Sequence, residues 1–179
     1  MTQMKPVSLN NASFEGFPHD AVCPDQWKAC GDDSTPDILP GPWGVHQKPT
    51  HGNTFVGLIT RENNSWEAMC QKPDKPFKKN ACYKFSVDLS NSPAYAGFNQ
   101  ATVLRVWLGN DCCTKTKLIA TSPLVDHYEW KTYEFMFSTE GKEYKYLFIE
   151  AYYRQPSLNY YKGNLLIDNF SVFEICDRA

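Results

Sequence analysis

The chain has 179 residues, 18 of them Lys or Arg and 20 Asp or Glu, for a formal net charge of −2. It carries no basic block beyond Lys75-Pro76-Phe77-Lys78-Lys79 and no apolar run near the roughly 20 residues that span a bilayer, so a nucleic-acid surface and direct membrane insertion are both excluded as expectations. Eleven Phe, ten Tyr and five Trp make up 15% of the chain, and with twelve Pro and ten Gly between them they point to many short strands joined by turns.

In chain order, Met1 to Pro6 lacks the apolar region of a signal peptide, so an exported protein would begin here after a removed leader. Val7 to Glu15 reads as a first strand. Residues 16–52 read as a long irregular segment holding Cys23, Trp27, Cys30 and Trp43, and a loop of that length in a compact domain is functional or stapled. A local Cys23–Cys30 bridge is one reading of it. From residue 53 to 176 period-two alternation dominates. Thr54, Val56 and Leu58 alternate with Phe55, Gly57 and Ile59. Tyr83, Phe85, Val87 and Leu89 alternate with Lys84, Ser86 and Asp88. Further strands follow in Trp66 to Gln71, Val103 to Leu108, Lys117 to Thr121, Thr132 to Phe137, Leu147 to Tyr152 and Asn164 to Glu174. No stretch of ten residues keeps a 3.6-residue period. The expectation is one all-β domain over residues 1–179, an antiparallel β-sandwich or jelly roll of roughly nine strands with a long N-terminal loop region.

The seven cysteines have no zinc-knuckle spacing, which favours disulfides and an exported protein, cell-surface, periplasmic or secreted. Their odd number leaves at least one thiol unpaired within the chain. Nucleophile elbows, zinc-protease helices and phosphate loops are missing from the sequence, so the expectation is a non-enzyme.

Asn10-Asn11-Ala12-Ser13-Phe14-Glu15-Gly16 at the start and Leu166-Ile167-Asp168-Asn169-Phe170 at the end resemble the first and last strands of carbohydrate-binding modules with the galactose-binding-domain-like jelly roll. That resemblance implies a structural calcium ion held by Glu15 and Asp168, with further oxygens from the His51-Gly52-Asn53 segment. An alternative for Asp168 is a turn cap or an ordinary ion pair. The run through Cys23-Pro24, Trp27 and Thr35-Pro36-Asp37 also resembles modules in Bacteroidetes cell-envelope proteins tied to gliding and secretion. Ile38-Leu39 stands where those modules have Tyr-Phe, and Asn11-Ala12 where Asn-Pro is common.

Sugar sites stack pyranose faces on aromatic rings and fix hydroxyls with polar side chains. Arg105 and Trp107 share one face of their strand and Glu150 and Tyr152 one face of theirs, so the four form a single surface if the strands are neighbours. A structural Arg105–Glu150 pair is the competing reading. Trp27, Trp43 and Trp66 are further ligand candidates from the loops, or plugs for the end of the sandwich. The function expected is a non-catalytic carbohydrate-binding module; the alternative is a protein-interaction module of a bacterial envelope assembly.

Overall fold

A computed structural model describes residues 3–177 and contains twelve strands, one 3₁₀ turn and no α-helix. The strands are β1 (Lys28–Ala29), β2 (Asp37–Leu39), β3 (Phe55–Thr60), β4 (Ala68–Gln71), β5 (Cys82–Ser90), β6 (Gln100–Ala101), β7 (Val103–Gly109), β8 (Lys117–Thr121), β9 (Lys131–Ser138), β10 (Tyr146–Tyr152), β11 (Gly163–Asp168) and β12 (Glu174–Ile175). They form two sheets. The smaller runs β1-β4-β10-β7-β8, and the larger runs β12-β5-β11-β3-β2, with β9 added beside β5 and β6 beside β11. All pairings are antiparallel except β6–β11. This is the expected jelly-roll sandwich.

The alternation seen in the sequence builds the core. Leu104, Val106 and Leu108 of β7 and Leu147, Ile149 and Ala151 of β10 point inward. They meet Tyr83, Phe85, Val87, Leu89, Leu165 and Ile167 from the larger sheet. Phe77, Tyr83, Phe85, Phe137, Phe170 and Phe173 pack ring on ring at 4.5–6.4 Å, which uses much of the aromatic excess.

Four expectations need correction. Val7 to Glu15 is not a strand: Val7 makes one isolated bridge to Phe173, and residues 10–13 turn, because Asn11 and Phe14 take φ values of 49° and 55°. The stretch 164–174 is interrupted, since Asn169 sits at φ 54° and ends β11 before β12 begins. The segment 16–52 is not wholly irregular, because β1 and β2 within it add edge strands to each sheet. Strand four begins at Ala68, with Trp66 reaching only an isolated bridge to Thr60.

The cysteine pairing also differs from the local bridge. Disulfides join Cys30–Cys113, Cys70–Cys112 and Cys82–Cys176. Cys23 stays free because it packs inward, its Sγ 3.5 Å from Met69 Sδ, and burial pushes its thiol up to about 12. Such a thiol is inert at neutral pH.

Candidate functional site

The outer face of the smaller sheet is built by register. Glu150 on β10 lies directly between Arg105 of β7 and Ala68 of β4, and Phe148 lies between Trp107 and Cys70. Period two then puts Arg105, Trp107, Phe148, Glu150 and Tyr152 on one side of the sheet, opposite the core. The four residues expected to share one side of the sheet do so, with Glu150 itself buried and paired to Arg105 as the competing reading had it.

Glu150 is the hub. Its side chain is fully buried, and four donors converge on it. Oε1 accepts from Arg105 Nε at 2.8 Å and Trp107 Nε1 at 3.1 Å; Oε2 accepts from Trp66 Nε1 at 2.9 Å and Lys115 Nζ at 3.3 Å. A buried carboxylate without such partners would cost several kcal/mol, about the penalty of an unpaired ion. The guanidinium carbon of Arg105 stands 3.8 Å from the ring centre of Tyr152 and 5.0 Å from that of Trp107. Lys115 Nζ lies between 5.4 and 5.7 Å from the rings of Trp66, Trp107 and Phe148. Two cations therefore share one carboxylate and sit against aromatic faces, which strengthens both sets of contacts once water is partly removed.

Lys115 was not singled out in the sequence. It arrives on the β7–β8 loop, whose adjacent Cys112 and Cys113 are tied to Cys70 on β4 and to Cys30 just after β1. The doublet two residues before a lysine was the available signal: two neighbouring disulfides immobilise whatever follows. Beside this cluster runs a groove of about 300 Å³, walled by Ser34, Asn64, Ser65, Trp66, Lys115 and Phe148 and lined also by Asp32 and Asp33. A larger groove of about 500 Å³ crosses β5 and β9, past Lys84, Glu134, Met136 and Glu174. That one has no tryptophan, and Lys84 and Glu174 are paired across it at 3.8 Å, so the smaller groove has the chemistry of a site.

The loop tryptophans separate. Trp27 is buried, stacked on Phe14 with centroids 5.0 Å apart and donating its Nε1–H to Asn11 O at 3.0 Å. It is a core residue and not a ligand contact, because its neighbours Phe14 and Ala12 close over it. Trp66 belongs to the Glu150 cluster, edge-on to Tyr152 at 4.9 Å. Trp43 is 44% exposed at the tip of the 3₁₀ turn Pro42–Gly44, near Pro18, His19 and Asp20.

Glu15 and Asp168 clasp one segment from two sides. Glu15 Oε2 accepts from Asn53 N at 2.9 Å and Thr54 N at 3.2 Å. Asp168 Oδ2 accepts from Thr50 N at 2.9 Å, Thr50 Oγ1 at 3.1 Å and His51 N at 3.1 Å, and Oδ1 from Asn169 N at 2.8 Å. Burial pushes the Asp168 carboxyl up to about 6 against these hydrogen bonds. Asp88 stands directly opposite it across β5–β11, and among the described residues no Lys or Arg makes an ion pair with Glu15, Asp88 or Asp168. Glu15 Oε1 is buried without any donor. Gly52 comes so close that a Cβ there would lie 1.8 Å from this oxygen, at a φ of +64°. An orphaned carboxylate oxygen under Gly52, with a second, buried carboxylate bonded to the same 50–54 segment, fits a hard cation that takes oxygen ligands.

The sequence matches no family model and no curated protein. Solved structures share the fold. The chain is similar to the CBM22-1 xylan-binding domain of Xyn10C from Paenibacillus barcinonensis, at 15% identity and a TM-score of 0.57, with 94% of each chain covered. It is also similar to a Stig cyclase, Fisc from Fischerella sp. TAU, at 14% identity and a TM-score of 0.61, covering 96% of this chain and 98% of that one. A third likeness is the K1 cleaved adhesin domain of Lys-gingipain from Porphyromonas gingivalis W83, at 11% identity and a TM-score of 0.55, covering 92% and 96%. At these identities the likeness shows the jelly-roll sandwich fold, shared by carbohydrate-binding modules, adhesin domains and an enzyme.

Proposed function

We propose that this domain is a non-catalytic binding module of an exported protein and that it takes a glycan on the outer face of the smaller sheet. The observation that carries the reading is the Glu150 cluster: two indoles, a phenol and two cations held rigidly beside a groove. Rigid aromatic and charged groups of this kind lose little entropy on binding, which suits recognition of a hydrated sugar. Three disulfides support passage through an oxidising compartment. A fold shared with carbohydrate-binding modules supports the same class by analogy. Glu15 and Asp168 would hold a structural calcium ion through the capacity left on Glu15 Oε1 and Asp168 Oδ1, stiffening the 50–54 segment.

A calorimetric titration with a glycan panel tests the module. Binding that Trp66→Ala and Tyr152→Ala both abolish, with the fold intact, is the expected result; binding untouched by either moves the site elsewhere. For the metal, EDTA is expected to lower the melting temperature by several degrees and calcium to restore it.

A second reading has its own observation. Phe17 is 84% exposed and its neighbour Pro18 lines the same shallow depression as Trp43, giving an apolar edge suited to docking another protein. Loss of partner binding in Phe17→Ser with glycan binding retained would favour it.

A further inference from the structure

The donors and acceptors of the Glu150 cluster do not balance. Glu150 already receives four hydrogen bonds on its two oxygens, so it has little left to offer a ligand. Arg105 uses only Nε in that network; its Nη1 and Nη2 have no described protein acceptor, while its guanidinium carbon stands 3.8 Å over the Tyr152 ring centre. Lys115 spends one direction of its ammonium on Glu150 and remains 34% exposed. Two cations on one carboxylate leave a net charge of +1. Around Arg105 the cluster thus presents unpaired donors and aromatic walls, with the Tyr152 hydroxyl as its acceptor, whereas the acceptors Asp32, Asp33 and Asn64 lie in the adjoining groove.

A neutral sugar brings hydroxyls that must both donate and accept, and its sites need acceptors to receive those protons. An acid group brings acceptors alone. We propose that the ligand of this face is an acidic glycan, bearing a carboxylate or a sulfate ester, whose anionic group is held by the Arg105 guanidinium edge and Lys115 while the ring rests on the aromatic wall. The inference rests on the glycan reading above and names the class of glycan. A planar guanidinium fixed by stacking and by one carboxylate has its remaining fork pre-oriented for a two-point contact with such a group. Asp32 and Asp33 line the adjoining groove, which Arg105 does not, so the charge is asymmetric and the acid group is directed to the Arg105 side.

The test is isothermal titration of the whole chain with three oligosaccharides of equal length: an oligogalacturonate, a sulfated galactan fragment and a neutral xylo-oligosaccharide. We expect one or both acidic ligands to bind at least about tenfold tighter than the neutral one, weakening as salt rises. Arg105→Lys keeps the charge on Glu150 but removes the fork, and is expected to weaken acidic binding by about 10- to 100-fold. Should that variant unfold, Lys115→Gln, on its disulfide-held loop, is expected to weaken it in the same direction. Carboxylate-only or sulfate-only binding identifies which acid group is read. Neutral binding as tight as acidic, or acidic binding indifferent to both variants, overturns this inference and leaves the glycan reading standing. No binding of any of the three by folded protein overturns both.

Discussion

The two sheets treat their outer sides differently. Over the smaller sheet the Lys115 loop and the 30–34 segment, tied by two disulfides, cover only the part where Cys30, Ala68, Cys70 and Phe148 pack, and the rest of the face carries charge and rings. Over β3 and β11 of the larger sheet the 16–52 and 91–98 segments form a cover, in which Leu39, Val45, Phe55, Tyr95 and Leu166 make a second small core. Gly57 allows it: a Cβ there would lie 2.6 Å from the Tyr95 hydroxyl and 2.8 Å from Leu39. Each side has a buried carboxylate, and their partners differ. Glu150 meets two cations and two indoles; Asp168 meets neutral donors only, and its carboxyl is driven upward by burial. A buried charge on the open face is balanced by cations of the protein itself, whereas on the covered face Asp168 has neutral donors alone.

The sharpest way to break this comparison is at the hub. Glu150→Gln is expected to lower stability by about 3 kcal/mol in denaturant unfolding, because two cations lose their counter-charge while two of the four donors face an amide nitrogen. A change under about 1 kcal/mol would mean that solvent already balances the open face. Next comes the covered sheet's staple. Cys82→Ala with Cys176→Ala opens a link spanning 94 residues and should cost about 2–4 kcal/mol by the same measurement.

A smaller effect sharpens the account of the cover. Asp37, buried beneath it, accepts from Ala21 N at 2.9 Å and from the Tyr95 hydroxyl, and burial raises its carboxyl above the ordinary 3.8. The folded state then holds this proton to higher pH than the unfolded chain does. The contribution is fully present below about 4 and is lost as pH rises through the folded value. Asp37→Asn should flatten the fall of stability across that window, and an unchanged profile would show that the cover is wetter than its packing implies. Least of all, Trp43→Ala should cost about 1 kcal/mol or less, since the ring is 44% exposed and its centroid is 6.5 Å from that of Tyr95.

Much of this was legible beforehand where one residue's side decides its neighbour's. Alternation in 83–89, 103–108 and 147–152 located three central strands and put Arg105, Trp107, Glu150 and Tyr152 on outward faces without knowledge of their partners. The paired motifs around Glu15 and Asp168 were found at the two ends of the chain, and the structure sets both carboxylates on one segment. Trp27 could not be told from Trp43 by composition, because both are loop tryptophans; only the position of Phe14 buries one of them.

The sequence by itself determined the all-β class and which residues face out, because the pleat repeats every two residues and a local pattern is enough to read it. Its odd number of cysteines also determined that at least one thiol has no partner within the chain. Tertiary structure alone decided the disulfide partners, the arrival of Lys115 at Glu150, the turn that replaces a first strand and the burial of the covering segment. These depend on which strands become neighbours, and that choice is made by packing between residues far apart in the chain, such as Thr50 and Asp168, 118 positions apart.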